Sequence, residues 1–353
     1  MELISMKKIN DIIKISIKYS LMLLILVKLT GCIPDETPVT PHETGDMTET
    51  QVEMDKLYET QVYFNFALDS VVASNKITDW DIGFSCIADS FVVIMNNAKT
   101  MRAFNTHKTD FAAVSSADTA GFDDFSWEYD NPSGFLDSTA MGTWWSSKSL
   151  TKISSKEEVY IIDLGIDGRS RRQGMKKLKI LKLENSTYSI EFAELDGIDI
   201  QTMEIPINPA KNFILVSLKK NTIPDLEPIS ANWDFCFTKY TEKLYTGEED
   251  FFLWYGVTGP LLNRVHSSAV FMSADSVIGD VQFEEIKDSV FSTNINAIGH
   301  EWKWFDLNAG AYIVLPNRIF VIKTITGYYK FHFVSFYNET GDKGYPKFEF
   351  QKL

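Results

Sequence analysis

Large apolar side chains alternate with small or polar ones along much of the chain, which is the pattern of half-buried β-strands. In the segment 80–86, Trp80, Ile82 and Phe84 fall on one face of such a strand, and the segment 233–237 repeats the arrangement. Further apolar segments near the C-terminus are separated by turns that contain glycine: 319–323, 328–337 and 348–350. Few segments show the longer period of a helix. The pattern therefore predicts an all-β protein built from antiparallel strands.

The alternating segments recur in the same order in the two halves of the chain. Landmarks of the first half have counterparts in the second at nearly constant spacing: 64–68 with 214–218, 80–84 with 233–237, Trp144 with Trp302, 159–162 with 319–322, and 190–195 with 348–353. This order predicts two tandem related β domains, at 56–205 and 206–353, and the chain length agrees with two domains. The alternative is chance similarity among strands that are rich in aromatic residues.

A lipoprotein signal is indicated near the N-terminus by the sequence LTGC, which ends at Cys32 and follows an apolar run at 19–27. That run has about nine residues behind several lysines, as in a signal peptide, whereas a membrane-spanning helix needs roughly twenty. We expect residues 1–31 to be removed as a lipoprotein signal peptide and Cys32 to become a lipidated N-terminus that anchors the protein. The alternatives are a buried helix and an uncleaved anchor.

Residues 32–55 are rich in proline, threonine and acidic side chains, a composition that does not bury a core. We expect them to form an acidic, extended tether that holds the folded part away from the membrane. Asp35 and Glu36 resemble the acidic signal that directs some lipoproteins of Gram-negative bacteria to the outer face of the outer membrane. The sequence therefore predicts an outer-membrane protein that is lipid-anchored and exposed at the cell surface.

Composition supports a folded protein and limits its partners. Hydrophobic residues make up 44% of the chain and aromatic residues 13%, which is enough for a sizeable core. The net charge of −14 argues against nucleic acid or anionic lipid as a partner, because both bind basic surfaces. Besides Cys32 the chain has only Cys86 and Cys236, for which a disulfide and two buried thiols are both open.

No catalytic motif is present. The chain lacks the metalloprotease pattern His-Glu-x-x-His, the nucleophile pattern Gly-x-Ser-x-Gly, a glycine-rich phosphate loop and Cys-x-x-Cys. Two charged clusters are interpreted as solvated segments rather than ion sites: Arg169, Arg171, Arg172, Lys176, Lys177 and Lys179 in a hairpin, and Asp123, Asp124, Glu128 and Asp130 in a loop. We therefore expect a binding protein and not an enzyme.

The second half of the chain resembles the HmuY-type haem-binding lipoproteins of certain Gram-negative bacteria. The resemblance is carried by WDFCF at 233–237, GVTGPLLN at 256–263 and the long stretch 316–353. The first half is similar in outline only, through WDIGF at 80–84 and the stretch 159–195. The resemblance implies an all-β surface protein that captures haem and passes it to an outer-membrane haem transporter without catalysing a reaction.

A haem site needs one or two axial iron ligands, apolar walls and groups that accept the propionates. The second half offers residues of each type: His266, Met272 and His300 for the iron, Arg264 for a propionate, and Tyr255, Phe271, Trp302 and Trp304 for the walls. Members of the family use His or Met without a short motif around them, so the resemblance assigns no ligand by position. Each candidate is also explained as a core aromatic, a gap-filling Met or a surface His.

A second function stays open beside haem capture. The alternative is a structural or adhesive surface module that keeps the all-β fold but binds protein or glycan. Whether the purified protein binds haemin separates the two functions.

Overall fold

Antiparallel strands make up nearly all of the regular structure in the computed structural model, which describes residues 45–149, 152–245, 252–272, 277–286 and 290–353. These residues belong to one compact unit, 43–353. The all-β antiparallel fold predicted from the alternating pattern is confirmed. The predicted signal peptide, Cys32 and the first part of the tether lie outside the described residues. No helix within the described ranges is long and apolar enough to cross a membrane.

The strands, in chain order, are β1 (Thr48–Gln51), β2 (Thr60–Asn65), β3 (Ser70–Lys76), β4 (Ile82–Ser85), β5 (Val93–Met95), β6 (Arg102–Asn105), β7 (Trp145–Lys148), β8 (Lys152–Ser155), β9 (Val159–Asp163), β10 (Met175–Glu184), β11 (Thr187–Glu194), β12 (Gln201–Pro206), β13 (Phe213–Val216), β14 (Phe235–Tyr245), β15 (Phe252–Leu262), β16 (Ser268–Phe271), β17 (Lys303–Asp306), β18 (Ala311–Val314), β19 (Phe320–Thr324), β20 (Gly327–Tyr337) and β21 (Lys343–Lys352). The helical elements are α1 (Phe283–Ile286) and 3₁₀ turns at Ile77–Asp79, Asn97–Lys99, Phe111–Ala113, Ser116–Thr119, Asp124–Ser126, Ser230–Asn232 and Ile278–Asp280.

The sheets enclose two large hydrophobic cores. The sheet β12-β11-β10-β8-β7, extended by β9 and β6, packs against β13-β4-β5 around core one, whose side chains come from residues 82–218. The sheets β1-β21-β20-β19-β16 and β15-β14-β2-β3 pack around core two, whose side chains come from 52–66 and 235–350. Core two is dominated by aromatic rings, such as Phe64 stacked on Phe235 with centroids 5.5 Å apart. The hairpin of β17 and β18 forms a separate two-stranded sheet.

Each half of the chain contributes to the core of the other half: β2 and β3, from the first half, belong to a sheet of core two, and β13, from the second half, belongs to a sheet of core one. Strand β2, from the first half, pairs with β14 in core two, where Phe64 lies opposite Phe235. Strand β13, from the second half, pairs with β4 in core one, where Ile214 lies opposite Phe84. Both crossing strands belong to the landmarks that precede the Trp-Asp motifs in the sequence. The two cores are therefore linked by reciprocal strand pairing.

The same hydrogen bonds surround the two Trp-Asp motifs. Asp81 accepts from the backbone N–H of Lys219, which follows β13, and Asp234 accepts from that of Phe66, which follows β2. Two asparagines also correspond: the side-chain amides donate to the backbone carbonyls of the tryptophans, Asn96 to Trp80 and Asn263 to Trp233. The backbone N–H of each asparagine donates to the aspartate carbonyl of its own motif. Equivalent hydrogen bonds therefore hold the two strands that pair across the halves, β2 and β13.

The folded part begins earlier than the predicted tether allows. Strand β1 pairs with β21 along Thr48–Gln51, although the sequence places these residues in the tether. Val52 and Met54 are almost fully buried in core two. The acidic composition of 32–55 hides this strand, because its outward-facing residues are polar and few apolar positions alternate with them. The tether, which stays a prediction, therefore ends before residue 48.

Both charged clusters are only partly solvated. The exposed members are Arg169, Arg171, Arg172, Asp123, Asp124 and Glu128, as the sequence indicates, whereas the others are buried. Strand β10 is central, between β9 and β11, so Lys176, Lys177 and Lys179 are buried rather than at an edge. Lys176 and Lys179 pair with glutamates of β11, and Lys177 donates to the Val114 carbonyl. In the acidic loop, Asp130 is buried and accepts from two backbone N–H groups. Cys86 and Cys236 are free thiols.

The pairing of β2 with β14 and of β13 with β4 predicts that the protein stays associated when the link between β12 and β13 is cleaved. We insert a specific protease site at 208–210, an exposed segment of that link, and cleave the folded protein. The two fragments should elute together in size-exclusion chromatography, because β2 remains in core two and β13 in core one. Fragments that separate without denaturant and stay folded would instead support independent domains at 56–205 and 206–353.

Candidate functional site

A groove of about 580 Å³ opens beside the turn that precedes β17. Its walls come from the outer part of β14, the end of β16, the turn 296–301 and the entry to β19, and its main side chains are Tyr240, Tyr245, Phe271, His300, Glu301 and Arg318. Two of the haem-site candidates from the sequence, His300 and Phe271, thus lie in one groove. The groove combines an imidazole, exposed aromatic rings and a guanidinium.

The His300 side chain is held with one ring nitrogen engaged. Its Nδ1 atom lies 3.4 Å from the hydroxyl of Tyr240, a nearly fully buried residue of β14. Burial lowers the pKa of His300, and the Lys303 ammonium lowers it further, against the opposing charges of Glu242 and Glu301. The imidazole is therefore neutral at pH 7, and its Nε2 atom is the nitrogen left for a metal.

Two glycines allow the turn that carries His300 to lie against β15. A side chain at Gly259 would overlap the carbonyl oxygen of Gly299, so only a residue without Cβ fits there. Gly299 itself has φ +67°, in the left-handed region that favours glycine. Gly259 belongs to the GVTGPLLN segment at 256–263, which shows how this part of the sequence contributes to the groove.

A cation and an aromatic ring form the opposite wall of the groove. The Arg318 guanidinium carbon lies 4.9 Å from the ring centroid of Phe271, which is 40% exposed. Arg318 also bonds to Glu301 at 3.1 Å, while its Nε has no hydrogen-bond partner among the described residues. An exposed ring beside an incompletely satisfied guanidinium suits a flat apolar ligand with an acidic edge.

The other predicted ligands lie elsewhere. His266 is in the turn after β15 and does not line the groove. The Met272 side chain packs with the buried cluster that contains Ile319 and Val321, on the other side of the strand from Phe271. Arg264 lines a separate cavity, where Nη1 donates to the carbonyl of Gly134.

The predicted wall residues divide into buried and exposed ones. Trp302 is fully buried and stacks on Phe333 with ring centroids 3.9 Å apart, so it belongs to core two. Tyr255 and Trp304 are about half exposed, but neither lines the groove. Of the remaining described histidines, His107 contacts Glu158 at the surface, and both ring nitrogens of His332 are engaged.

Tyr240, Tyr245 and Arg318 are groove residues that sequence reasoning did not select. Each lies in a strand or strand entry whose pattern only indicates burial or exposure. Their convergence depends on the pairing of β14 with β15 and of β16 with β19, which brings residues far apart in sequence to one place.

The glycine contact gives a prediction about stability and the groove. Gly259→Ala should lower the free energy of unfolding by about 1–3 kcal/mol, the usual cost of overpacking, because the new methyl group displaces the Gly299 carbonyl. Chemical denaturation measures the loss. Gly279→Ala is the matched control, since nothing lies within 4 Å of its added Cβ. Equal stabilities for the two variants would contradict the close approach.

The chain matches the family model described as HmuY protein over residues 57–350. No curated protein sequence matches it. Among solved structures, the apo HmuY analogue (TFO) of Tannerella forsythia is 10% identical, with 89% of this chain and 98% of that chain covered and a TM-score of 0.24. Apo PinO from Porphyromonas gingivitis is 9% identical, with coverages of 87% and 98% and a TM-score of 0.26.

A third solved structure, from Bacteroides vulgatus, is described as HmuY-like and heme binding. It is 12% identical, covers 50% of this chain and 90% of its own, and has a TM-score of 0.16. These structural scores are too low to add to the family match, which rests on the sequence. The resemblance stated from the second half is confirmed, and the match also extends through the first half. Because the family model spans well over half of the chain, the protein belongs to the HmuY family.

Proposed function

We propose that the protein is a haem-binding lipoprotein of the cell surface and that the groove around His300 holds the haem. One observation carries the proposal: in a chain of the HmuY family, a neutral histidine, an exposed ring and a guanidinium meet in one groove. The volume of the groove, about 580 Å³, is in the range of pockets for ligands of this size.

The chemistry of the groove fits haem. Bound haem would supply an iron atom that accepts axial ligands. The Nε2 atom of His300 would be one such ligand, because Nδ1 already contacts Tyr240. Phe271 would pack against the porphyrin, and Arg318 would meet a propionate through the N–H groups that Glu301 leaves free. This set replaces Arg264 with Arg318 as the proposed propionate partner.

A second axial ligand is available from the groove itself. Tyr245 is 69% exposed and lines the groove, and tyrosine is a known type of haem ligand. His266 and Met272, the other candidates from the sequence, do not line the groove as it stands. We therefore propose His300 as the principal iron ligand and Tyr245 as the residue best placed for the other side.

The proposal also covers the location of the protein and the destination of the bound haem. We propose that Cys32 carries the lipid and that the protein stays at the outer membrane, facing outward. The bound haem would then pass to an outer-membrane transporter, so the protein would bind and release haem without changing it. The motif ending at Cys32 and the family membership support this arrangement.

Haemin titration tests the haem site. The purified protein should give a sharpened, red-shifted Soret band that saturates near one equivalent, because axial ligation perturbs the porphyrin. His300→Ala should lose most of this shift. The matched control His107→Ala, which alters an exposed histidine beside Glu158, should keep it. A broad Soret band without saturation in the unaltered protein would remove the haem proposal and favour a surface module for protein or glycan.

The same titration should depend on pH. Burial lowers the pKa of His300 below 6.5, and only the neutral imidazole binds iron, so protonation competes with ligation. Haem should therefore remain ligated at pH 7 and be released as the pH falls below 6.5. The Soret shift, followed from pH 8 to pH 4, measures this. A shift that persists unchanged to pH 4 would contradict release through protonation of His300.

A further inference from the structure

A second cavity lies where the two cores meet. It has a volume of about 120 Å³ and is bordered by the Trp-Asp motifs and by the loop 131–139. Trp80, Phe213 and Trp233 supply buried aromatic walls, and Ile295 adds an aliphatic one. Phe135, half exposed in the loop, marks the side where the cavity reaches the surface. We call this space the junction chamber.

A guanidinium without a contacting counter-ion lies in the junction chamber. Arg264 packs over Phe213, 5.3 Å from the ring centroid, and Nη1 donates to the carbonyl of Gly134. Within the described residues no carboxylate forms an ion pair with it. Burial lowers the pKa of Arg264 to about 10, even though Asp130 and Glu227 act to raise it. The guanidinium thus lines the junction chamber without an ion-pair contact from the described residues, which leaves it available to an acidic ligand.

The two neighbouring carboxylates are already engaged. Asp130 accepts from the backbone N–H groups of Met95 and Ala140, at 2.7 and 2.8 Å. Glu227 accepts through Oε1 from those of Asn212 and Phe213, at 2.7 and 3.1 Å. Burial raises the pKa of Asp130 to about 6 and that of Glu227 to about 7. Both carboxylates line the junction chamber without forming an ion pair with Arg264, and near neutral pH Asp130 is mostly ionised and Glu227 about half ionised, so they balance its charge. A further anion on Arg264 would therefore favour protonation of these two carboxyl groups.

We propose that the junction chamber binds a short-chain monocarboxylate of three or four carbons, with its carboxylate on Arg264. An apolar cavity of roughly 150 Å³ holds benzene, so this chamber has room for about six heavy atoms. The guanidinium fork matches a carboxylate, and the aromatic and aliphatic walls match a short hydrocarbon chain. Larger anions such as haem exceed the space.

The proposed site is separate from the haem groove. Arg264 lines the junction chamber and His300 lines the groove, while Tyr240 has its ring at the chamber and its hydroxyl on His300. Carboxylate binding does not rest on the proposed function, because no residue of the Arg264 contact touches the groove. The two proposals can therefore fail independently.

Isothermal titration with sodium butyrate tests the site in the full-length protein, at constant ionic strength set with sodium chloride. Butyrate should bind at one saturable site, and the neutral, isosteric butyramide should bind at least tenfold more weakly. Arg264→Met should weaken butyrate binding at least tenfold. The control Arg169→Met removes the same charge from an exposed position and should leave binding unchanged.

A second pair of variants covers the case in which Arg264→Met does not fold. Leu136→Trp adds bulk to a side chain that lines the junction chamber and should abolish butyrate binding. Leu307→Trp adds the same bulk at an exposed hairpin tip and should not. The proposal is overturned by the absence of saturable butyrate binding, by equal binding of butyramide, or by unchanged binding in Leu136→Trp. Haemin binding that depends on Arg264 while butyrate binding does not would also overturn it.

Discussion

The reciprocal pairing of β2 with β14 and of β13 with β4 is the constraint on which the rest of the structure depends. Neither core is complete without a strand from the other half of the chain. Phe64 and Phe66 reach core two by this route, and Val216 and Leu218 reach core one. Because the rings of core two pack mainly on one another, removing β2 would expose several aromatic faces at once. The reciprocal strand pairing therefore couples the free energies of unfolding of the two cores.

The crossing also explains why polar groups are buried where the cores meet. A strand that leaves one core for the other must turn, and its backbone N–H groups need acceptors in the interior. Asp81 and Asp234 provide these acceptors. The two carboxylates differ in whether a cation compensates their negative charge. Asp81 pairs with the buried Lys99, whereas Asp234 forms no ion pair within the described ranges and burial raises its pKa to about 6.

Much of the fold could be predicted from the sequence, because strand patterns are local. The period of two identified the strands at 80–86 and 233–237 as well as the meander at 319–350, all of which the structure contains. The pattern could not show which strand pairs with which, since pairing depends on contacts between distant residues. The polar, acidic composition of 32–55 places β1 in the tether, and the alternation of lysine with apolar residues places the lysines of β10 in a solvated hairpin. Lysine can alternate with apolar residues in a central strand as well as in an edge strand, because the aliphatic part of the lysine side chain can cover an apolar surface.

The prediction of site residues is limited by a different factor, because residue type alone does not show whether a side chain is buried or which residues surround it. Residue type alone selected His266, Met272, His300 and Arg264, because each can ligate iron or meet a propionate. Burial and partners then separate them: Met272 is in an apolar cluster and Arg264 in the junction chamber, while His300 lines an open groove. Two contacts fix the position of His300. The turn rests on β15 through Gly259, and Tyr240 projects from β14, whose place is set by its pairing with β2. The reciprocal strand pairing thus orients the histidine proposed to bind haem, although the crossing strands themselves contribute no residue to the groove.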